Sequence, residues 1–232
     1  MPRFFANVRI APSTEAANFM FGKGSVKKGK ATLLNNGVDL SVFRYDETSR
    51  NDIRKEFNIP ENAFVVGHVG RFQEQKNHLF LLEIFSKVYK ENKDAVLLLV
   101  GNGELEKNIR EKAAALEISD RVIFAGVRSD VPALLSAMDV FAFPSLYEGM
   151  PNTVIESQAT GLPCVIADTI TGEANITGLV EYLPLSDPEN WAKHITAVAQ
   201  QPRLNTEKHF VDNNYDINRV VEHFVKLIFG EQ

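Results

Sequence analysis

The sequence predicts an α/β fold, a Rossmann-like parallel sheet with helices on both faces. Two observations carry that reading. From about residue 63, short β-rich runs alternate with helical patterns, as in successive βαβ units. The β-rich runs are also apolar almost throughout, whereas a strand with one wet face would alternate.

The strands read as Ala63–Val69, Ala95–Val100, Val122–Phe124, Val140–Phe143 and Pro163–Ala167. Between the first two, Leu81, Ile84, Phe85 and Val88 recur at i, i+3, i+4 and i+7, which marks an amphipathic crossover helix with Asn77 as its N-cap. Further helices are expected over Glu104–Leu116, Val131–Ala137 and Asn152–Thr160, the last stopped by Gly161-Leu-Pro163. A strand at Leu179–Leu183 then precedes Asp187-Pro188, a cap and first-turn proline for a helix through Ala199, and an amphipathic helix closes the chain over Tyr215–Ile228. Ahead of the sheet, Ser13–Phe21 reads as a short capped helix. A basic glycine-rich loop, Gly22–Lys30, and a strand at Ala31–Leu34 follow.

The 232 residues suffice for one large α/β domain or a domain with an appendage. Apolar residues make up 44% and charged residues 24%, the balance of a globular protein, and a net charge of −5 gives no global attraction to nucleic acid. The single cysteine, Cys164, lies in an apolar run, so neither an internal disulfide nor a thiolate metal cluster is expected. The five histidines are scattered, and His68, inside a strand, reads as a satisfied interior or rim group rather than a base. No apolar run approaches the ~20 residues of a membrane span, and the opening residues lack the long apolar core of a secretory signal. The expected setting is cytoplasmic, with docking at the inner face of a membrane left open.

Gly24-Ser-Val-Lys-Lys-Gly-Lys-Ala31 falls one residue short of a P-loop, and a strand rather than a helix follows it, so it reads as a solvated turn. Gly101-Asn-Gly103 lacks the third glycine of a dinucleotide fingerprint because Glu106 takes that place. It reads as a tight turn lining a ligand cleft, with an NAD-linked oxidoreductase a distant alternative. Gly70-Arg71-Phe-Gln-Glu-Gln-Lys76 follows the first strand of the sheet, and ligands of parallel α/β sheets bind beyond the carboxyl ends of strands. Glu148 and Glu156, eight apart, flank the start of the helix at Asn152. Cations beside a helix N-terminus make a diphosphate site without a metal, and the acids can accept hydrogen bonds from sugar hydroxyls. A glycoside hydrolase also uses two carboxylates, but the sequence cannot fix their separation. No His or Asp stands near either glutamate at metal-ligand spacing.

Taken together, the Gly70 to Lys76 segment, the Gly101-Asn-Gly103 turn, Ala125-Gly-Val-Arg-Ser-Asp130, the Pro144 to Glu148 lead-in and the Glu148/Glu156 pair resemble the donor-side domain of family-4 glycosyltransferases of the GT-B fold. The resemblance runs from about Arg9 to the end of the chain. It implies the C-terminal half of a GT-B fold and transfer of a sugar, with retention, from a nucleotide-diphosphate sugar such as a UDP-sugar. Arg71 and Lys76 would hold the diphosphate and Glu156 the ribose. Glu148 would contact the sugar ring and, with Arg71 and Lys76, form the catalytic set; backbone groups of Gly149, Met150, Pro151, Asn152, Thr153 and Val154 would reach sugar and phosphate, Gly70 would also bind substrate, and Val127 and Arg128 would lie beside the base. No cofactor or metal is implied. Gly161–Glu173 is similar to the subgroup that builds bacterial exopolysaccharide or capsule.

The same resemblance divides the chain into the end of an acceptor domain (1–35), a linker and lead-in (36–62), a donor domain (63–212) and a crossover helix (213–232). The rest of the acceptor domain, which would take a glycan or lipid-linked acceptor, is expected to be missing. Transfer by this chain alone would be impaired, and the exposed interdomain surface would favour self-association. The alternatives are a nucleotide-sugar epimerase and a noncatalytic nucleotide-sugar-binding module.

Overall fold

A computed structural model describes residues 8–230. The first seven residues of the expected acceptor-domain remnant, and the last two of the crossover segment, lie outside them. Strands β1 (Ile10–Ala11) and β2 (Thr32–Leu33) form a small parallel pair bracketing helix α1 (Thr14–Phe21). The main sheet has six parallel strands: β3 (Val65–Val69), β4 (Val96–Val100), β5 (Val122–Gly126), β6 (Val140–Phe143), β7 (Cys164–Ala167) and β8 (Val180–Leu183). Their order is β5-β4-β3-β6-β7-β8.

Every residue of β3, β4, β6 and β7 is buried, which is the physical content of their unbroken apolar sequence. The chain walks outward from β3 through α3 (His78–Glu91) and α4 (Glu106–Ala115), then jumps back through α5 (Val131–Ala137) to start again at β6. Right-handed crossovers therefore place α3 and α4 on one face and α5 and α6 (Asn152–Ala159) on the other. Helix α7 (Pro188–Val198) joins α3, carrying Trp191 into the core, where the indole N–H donates to Pro184 O at 2.8 Å.

Several helix starts follow the expected chemistry. Ser13 accepts from the Ala16 N–H at 3.0 Å, and Asp187 from the Glu189 N–H at 2.9 Å. Asn77 does not. It stands before α3 but in the left-handed region (φ 55), where its side chain makes no capping bond and the residue instead ends a 3₁₀ turn, Glu74–Lys76. Two short helices absent from the sequence reading are also present, α2 (Glu47–Glu56) in the lead-in and α8 (Glu207–Asp212) before the closing helix α9 (Ile217–Phe229). As expected of that closing helix, Val221, Phe224, Val225, Ile228 and Phe229 are exposed.

Helix α2 is tied to the sheet by arginines. Arg50 and Arg54 both pair with Asp139, at 2.7 and 2.9 Å, and Asp139 also accepts from the Val65 N–H at 2.7 Å, joining the entry points of β3 and β6. Guanidinium groups of Arg50, Arg54 and Arg203 donate to the carbonyls of Leu135, Ser136, Ala137 and Met138, so the C-terminal turn of α5 is capped by cations.

Close backbone approach decides the glycine turn after β4. At Gly101 φ is +132°, and a Cβ there would sit 2.2 Å from Gly70 O; one at Gly103 would sit 2.4 Å from Phe72 O. The two loops hold each other through Gly70 N–H to Val100 O and Phe72 N–H to Asn102 O, at 2.9 and 2.7 Å. Gly101→Ala is expected to lower unfolding free energy by about 2 to 4 kcal/mol, combining a forbidden φ with a backbone clash. Urea denaturation checks this, and an unchanged midpoint would contradict it.

Candidate functional site

Strand order reverses between β3 and β6, so the carboxyl ends of these neighbours open onto the crevice where doubly wound sheets take ligands. Both sequence segments singled out for charge leave the sheet at this point: Gly70–Lys76 after β3, and Pro144–Glu148 after β6. The structure fastens them together. Leu146 N–H donates to Gln75 O and the Gln75 side-chain amide to Tyr147 O, each at 2.8 Å. Lys76 Nζ donates to Glu148 Oε1 at 2.7 Å and stands 4.5 Å above the Phe143 ring. With side chains only 15% and 10% exposed, this is a partly desolvated pair, held in place before any ligand arrives.

Beside it, α6 begins open. Pro151 occupies the N-cap without a side-chain bond, and its carbonyl accepts from Val154 and Ile155. Among the described residues the N–H groups of Asn152 and Thr153 have no hydrogen-bond partner, and Gly149 and Met150 lead into them. Asn152 Oδ1 accepts from the Asn36 side chain at 2.7 Å. Glu156 lies little more than one turn into the helix and lines a small hollow with Asn36, Gly37, Val38, Asn152 and Ile155. Its half-buried carboxylate has no partner among the described residues, and burial alone pushes its pKa up.

The remaining predicted residues spread along the same edge. Arg71 is exposed, its Nε 3.9 Å from Glu104 Oε2 in the loop after β4. Val127 and Arg128 follow β5, two strands away from β3. Val127 is 72% exposed, but the Arg128 guanidinium is engaged: Asp130 takes two bonds at 2.8 and 2.7 Å, and Glu56 two at 2.5 and 3.0 Å. Those hydrogen bonds, Asp130 first, raise its pKa.

Sequence reasoning missed the layer beneath. Among the described residues, the buried side-chain polar atoms without a partner are His68 Nε2, both ring nitrogens of His78, and Ser145 Oγ. They lie near the end of β3, in the loop just after β6 and at the first residue of α3. His68 is interior as expected but only half satisfied. Its Nδ1–H donates to Ala142 O at 2.9 Å, which leaves Nε2 as a bare acceptor, and its ring meets that of His78 edge-on at 4.7 Å. Burial pushes the His68 pKa down to about 4 and that of His78 to about 2. The only sequence signal for the pair was its position either side of the Gly70 to Asn77 segment.

No group of three or more His, Cys, Asp or Glu able to hold a metal ion occurs among the described residues. A cavity of 680 Å³ lies elsewhere, by the C-terminal end of α6, lined by Tyr45, Thr160, Arg203 and Asp216 among others. Size and chemistry thus disagree about location. The strand reversal decides, because unpartnered helix N–H groups, a fixed cation and a carboxylate meet there.

Residues 49–216 match the family described as Glycosyl transferases group 1, and the chain belongs to that family. It is 35% identical over 204 residues to EpsF of Bacillus subtilis (strain 168), covering 87% of this chain and 53% of that protein. It is also 36% identical over 143 residues to the UDP-Gal:alpha-D-GlcNAc-diphosphoundecaprenol alpha-1,3-galactosyltransferase of Escherichia coli, covering 60% of this chain and 37% of that one. The chain thus spans about half the length of EpsF and less of the second relative. Among solved structures, Anabaena HepE in complex with UDP-glucose superposes with a TM-score of 0.78 at 21% identity, over 97% of this chain and 64% of that one. WaaG, a glycosyltransferase involved in lipopolysaccharide biosynthesis, gives 0.77 at 17%, over 96% and 62%. At such identities the likeness is one of fold, and the fold is that of the GT-B glycosyltransferases.

The two histidines set a pH dependence. Their folded pKa values lie below the unfolded value of 6.5, so the unfolded chain binds more protons once pH falls below 6.5, and stability declines from there toward about 4. Urea midpoints measured between neutral pH and pH ~4.5 should fall with pH, and the fall should be shallower in His68→Phe. Parallel curves for the two proteins would contradict this.

Proposed function

We propose that this chain binds the donor of a glycosyltransferase that moves a sugar, with retention, from a UDP-sugar to a polysaccharide or glycolipid acceptor. The observation that carries the reading is the Lys76–Glu148 pair at the strand reversal, beside the open start of α6. A diphosphate carries the charge that Lys76 and the Asn152 and Thr153 N–H groups are arranged to meet. As Lys76 turns to phosphate, Glu148 is released to accept hydrogen bonds from hydroxyls of the transferred sugar. Glu156, half-buried and without a partner among the described residues, suits the two hydroxyls of a ribose. Val127 offers an apolar surface to the base, and the Arg128 clamp holds that loop in shape.

During transfer, negative charge grows on the departing diphosphate. Lys76, the N-terminus of α6 and the exposed side chain of Arg71 would offset it. Glu148 then orients the sugar rather than acting as a nucleophile. Support for uridine comes from HepE, solved with UDP and with UDP-glucose, and from the Escherichia coli relative, whose name specifies UDP-Gal. Among the described residues no helix is long and apolar enough to cross a membrane. We assign the reaction to the cytoplasmic side, at the inner face of the membrane.

Calorimetric titration with UDP tests the reading. Lys76→Ala should weaken binding by about 1 to 3 kcal/mol, the range for charge-assisted bonds. Glu148→Gln, which frees the ammonium, should tighten UDP and erase any preference for the sugar-bearing form. Unchanged UDP affinity in both variants, with folding verified by circular dichroism, would remove the site.

A further inference from the structure

We infer that Asn36, in the linker ahead of the sheet, is a specificity-determining residue that reads one hydroxyl of the ribose diol. The assignment rests on the donor reading above and adds to it a side chain from outside the sheet and its crossover helices. Asn36 is half-buried, and its Nδ2 donates at 2.7 Å to Oδ1 of Asn152, the first residue of α6 and 116 positions away. Both amides line the hollow that also holds Glu156.

The linker is fastened on either side of this residue. Val38 N–H donates to Tyr215 O and Ile217 N–H to Val38 O, at 2.8 and 3.0 Å, while Asn35 Nδ2 donates to the carbonyls of Asn213 and Asn214 at 3.1 and 3.2 Å. Gly37 lies flush against the start of α9, where a Cβ would stand 2.7 Å from Ile217 Cδ1. Asn36 therefore reaches α6 from a frame built by other elements. The start of α6 is in turn held without it, through Pro151 O, which accepts from Val154 and Ile155, and Ser157 Oγ, which donates to Thr153 O at 2.6 Å.

The amide–amide bond sorts the polar atoms of the hollow. With its Oδ1 engaged, Asn152 offers side-chain N–H donors, and Asn36 keeps its own Oδ1 as an acceptor; neither group has a partner among the described residues. The Glu156 carboxylate is a second acceptor. Two acceptors and a donor around one hollow match neighbouring hydroxyls, each of which gives one proton and accepts another. A phosphate group is a poor match, because its oxygens would face a carboxylate and an amide carbonyl. Glu156 thus takes one hydroxyl of the diol and Asn36 Oδ1 the other, with Asn152 Nδ2 donating back.

The test is calorimetric titration of the full chain and of Asn36→Ala with UDP, 2′-deoxy-UDP, 3′-deoxy-UDP and inorganic pyrophosphate. The unaltered chain should bind UDP more tightly than either deoxy form. Asn36→Ala should weaken UDP about fivefold, the worth of one hydrogen bond, and leave unchanged the affinity for whichever deoxy form lacks the hydroxyl that Asn36 reads. Pyrophosphate, which has no ribose, should bind both proteins alike. Unchanged UDP affinity, or an equal loss for UDP and both deoxy forms, would overturn the inference. So would a matching loss for pyrophosphate, because Asn36 would then be only a brace for α6. Asn36→Ser, whose side chain is too short to reach across the hollow, should repeat the pattern and serves where Asn36→Ala fails to fold. If the unaltered chain binds no UDP, the donor reading falls and this assignment with it, whereas UDP binding that ignores position 36 strikes the assignment alone.

Discussion

The reversal of strand order between β3 and β6 is the constraint on which the molecule is built. Because the chain leaves these neighbours toward helices on opposite faces, no helix can cover the point where both end. Two loops must meet there instead, and Lys76–Glu148, with the bonds of Gln75 to Leu146 and Tyr147, closes the gap between them. The opposite edge of the sheet is finished differently. Asp139 and three arginines satisfy strand entry points and the last carbonyls of α5, so that edge is saturated with protein–protein bonds. Orphaned polar atoms, by contrast, gather at the carboxyl edge. Stability is concentrated at one edge and unsatisfied chemistry at the other.

A partly buried ion pair is weak evidence for stability, since desolvation offsets much of its attraction. Its value here is positional. The ammonium is held between a carboxylate and the Phe143 ring, and the first turn of α6 lies beside it. Neutral imidazoles fit underneath. His68 and His78 remain uncharged across the physiological range, so they add no cation beneath Lys76.

Sequence made the sheet legible because burial on both faces forbids polar residues, and the runs at Val65–Val69 and Val96–Val100 could be little else. Helix α2 was not legible. It buries only Ile53 and Arg54, and Arg54 is buried because carbonyls of Pro60, Glu61, Ala63 and Ala137 receive its N–H groups, a long-range solution that no periodicity announces. Asn77 looked like a cap, yet the preceding 3₁₀ turn forces it into the left-handed region where its side chain cannot reach back. Spacing located Glu148 and Glu156 at one helix start, but the partner of Glu148 lies 72 residues earlier and was assigned by pattern to the same edge, not to direct contact. Arg128 was read as a base-side residue. That its guanidinium would be held by Glu56 depends on a helix the pattern did not reveal.

A crystal structure of the chain with UDP bears most directly on whether this strand reversal is where a nucleotide is held. The diphosphate should lie about 3 Å from Lys76 Nζ and from the Asn152 or Thr153 N–H, with the Lys76–Glu148 bond broken or shared. A nucleotide seated instead in the 680 Å³ cavity beside Arg203, with Lys76 still bonded to Glu148, would contradict it.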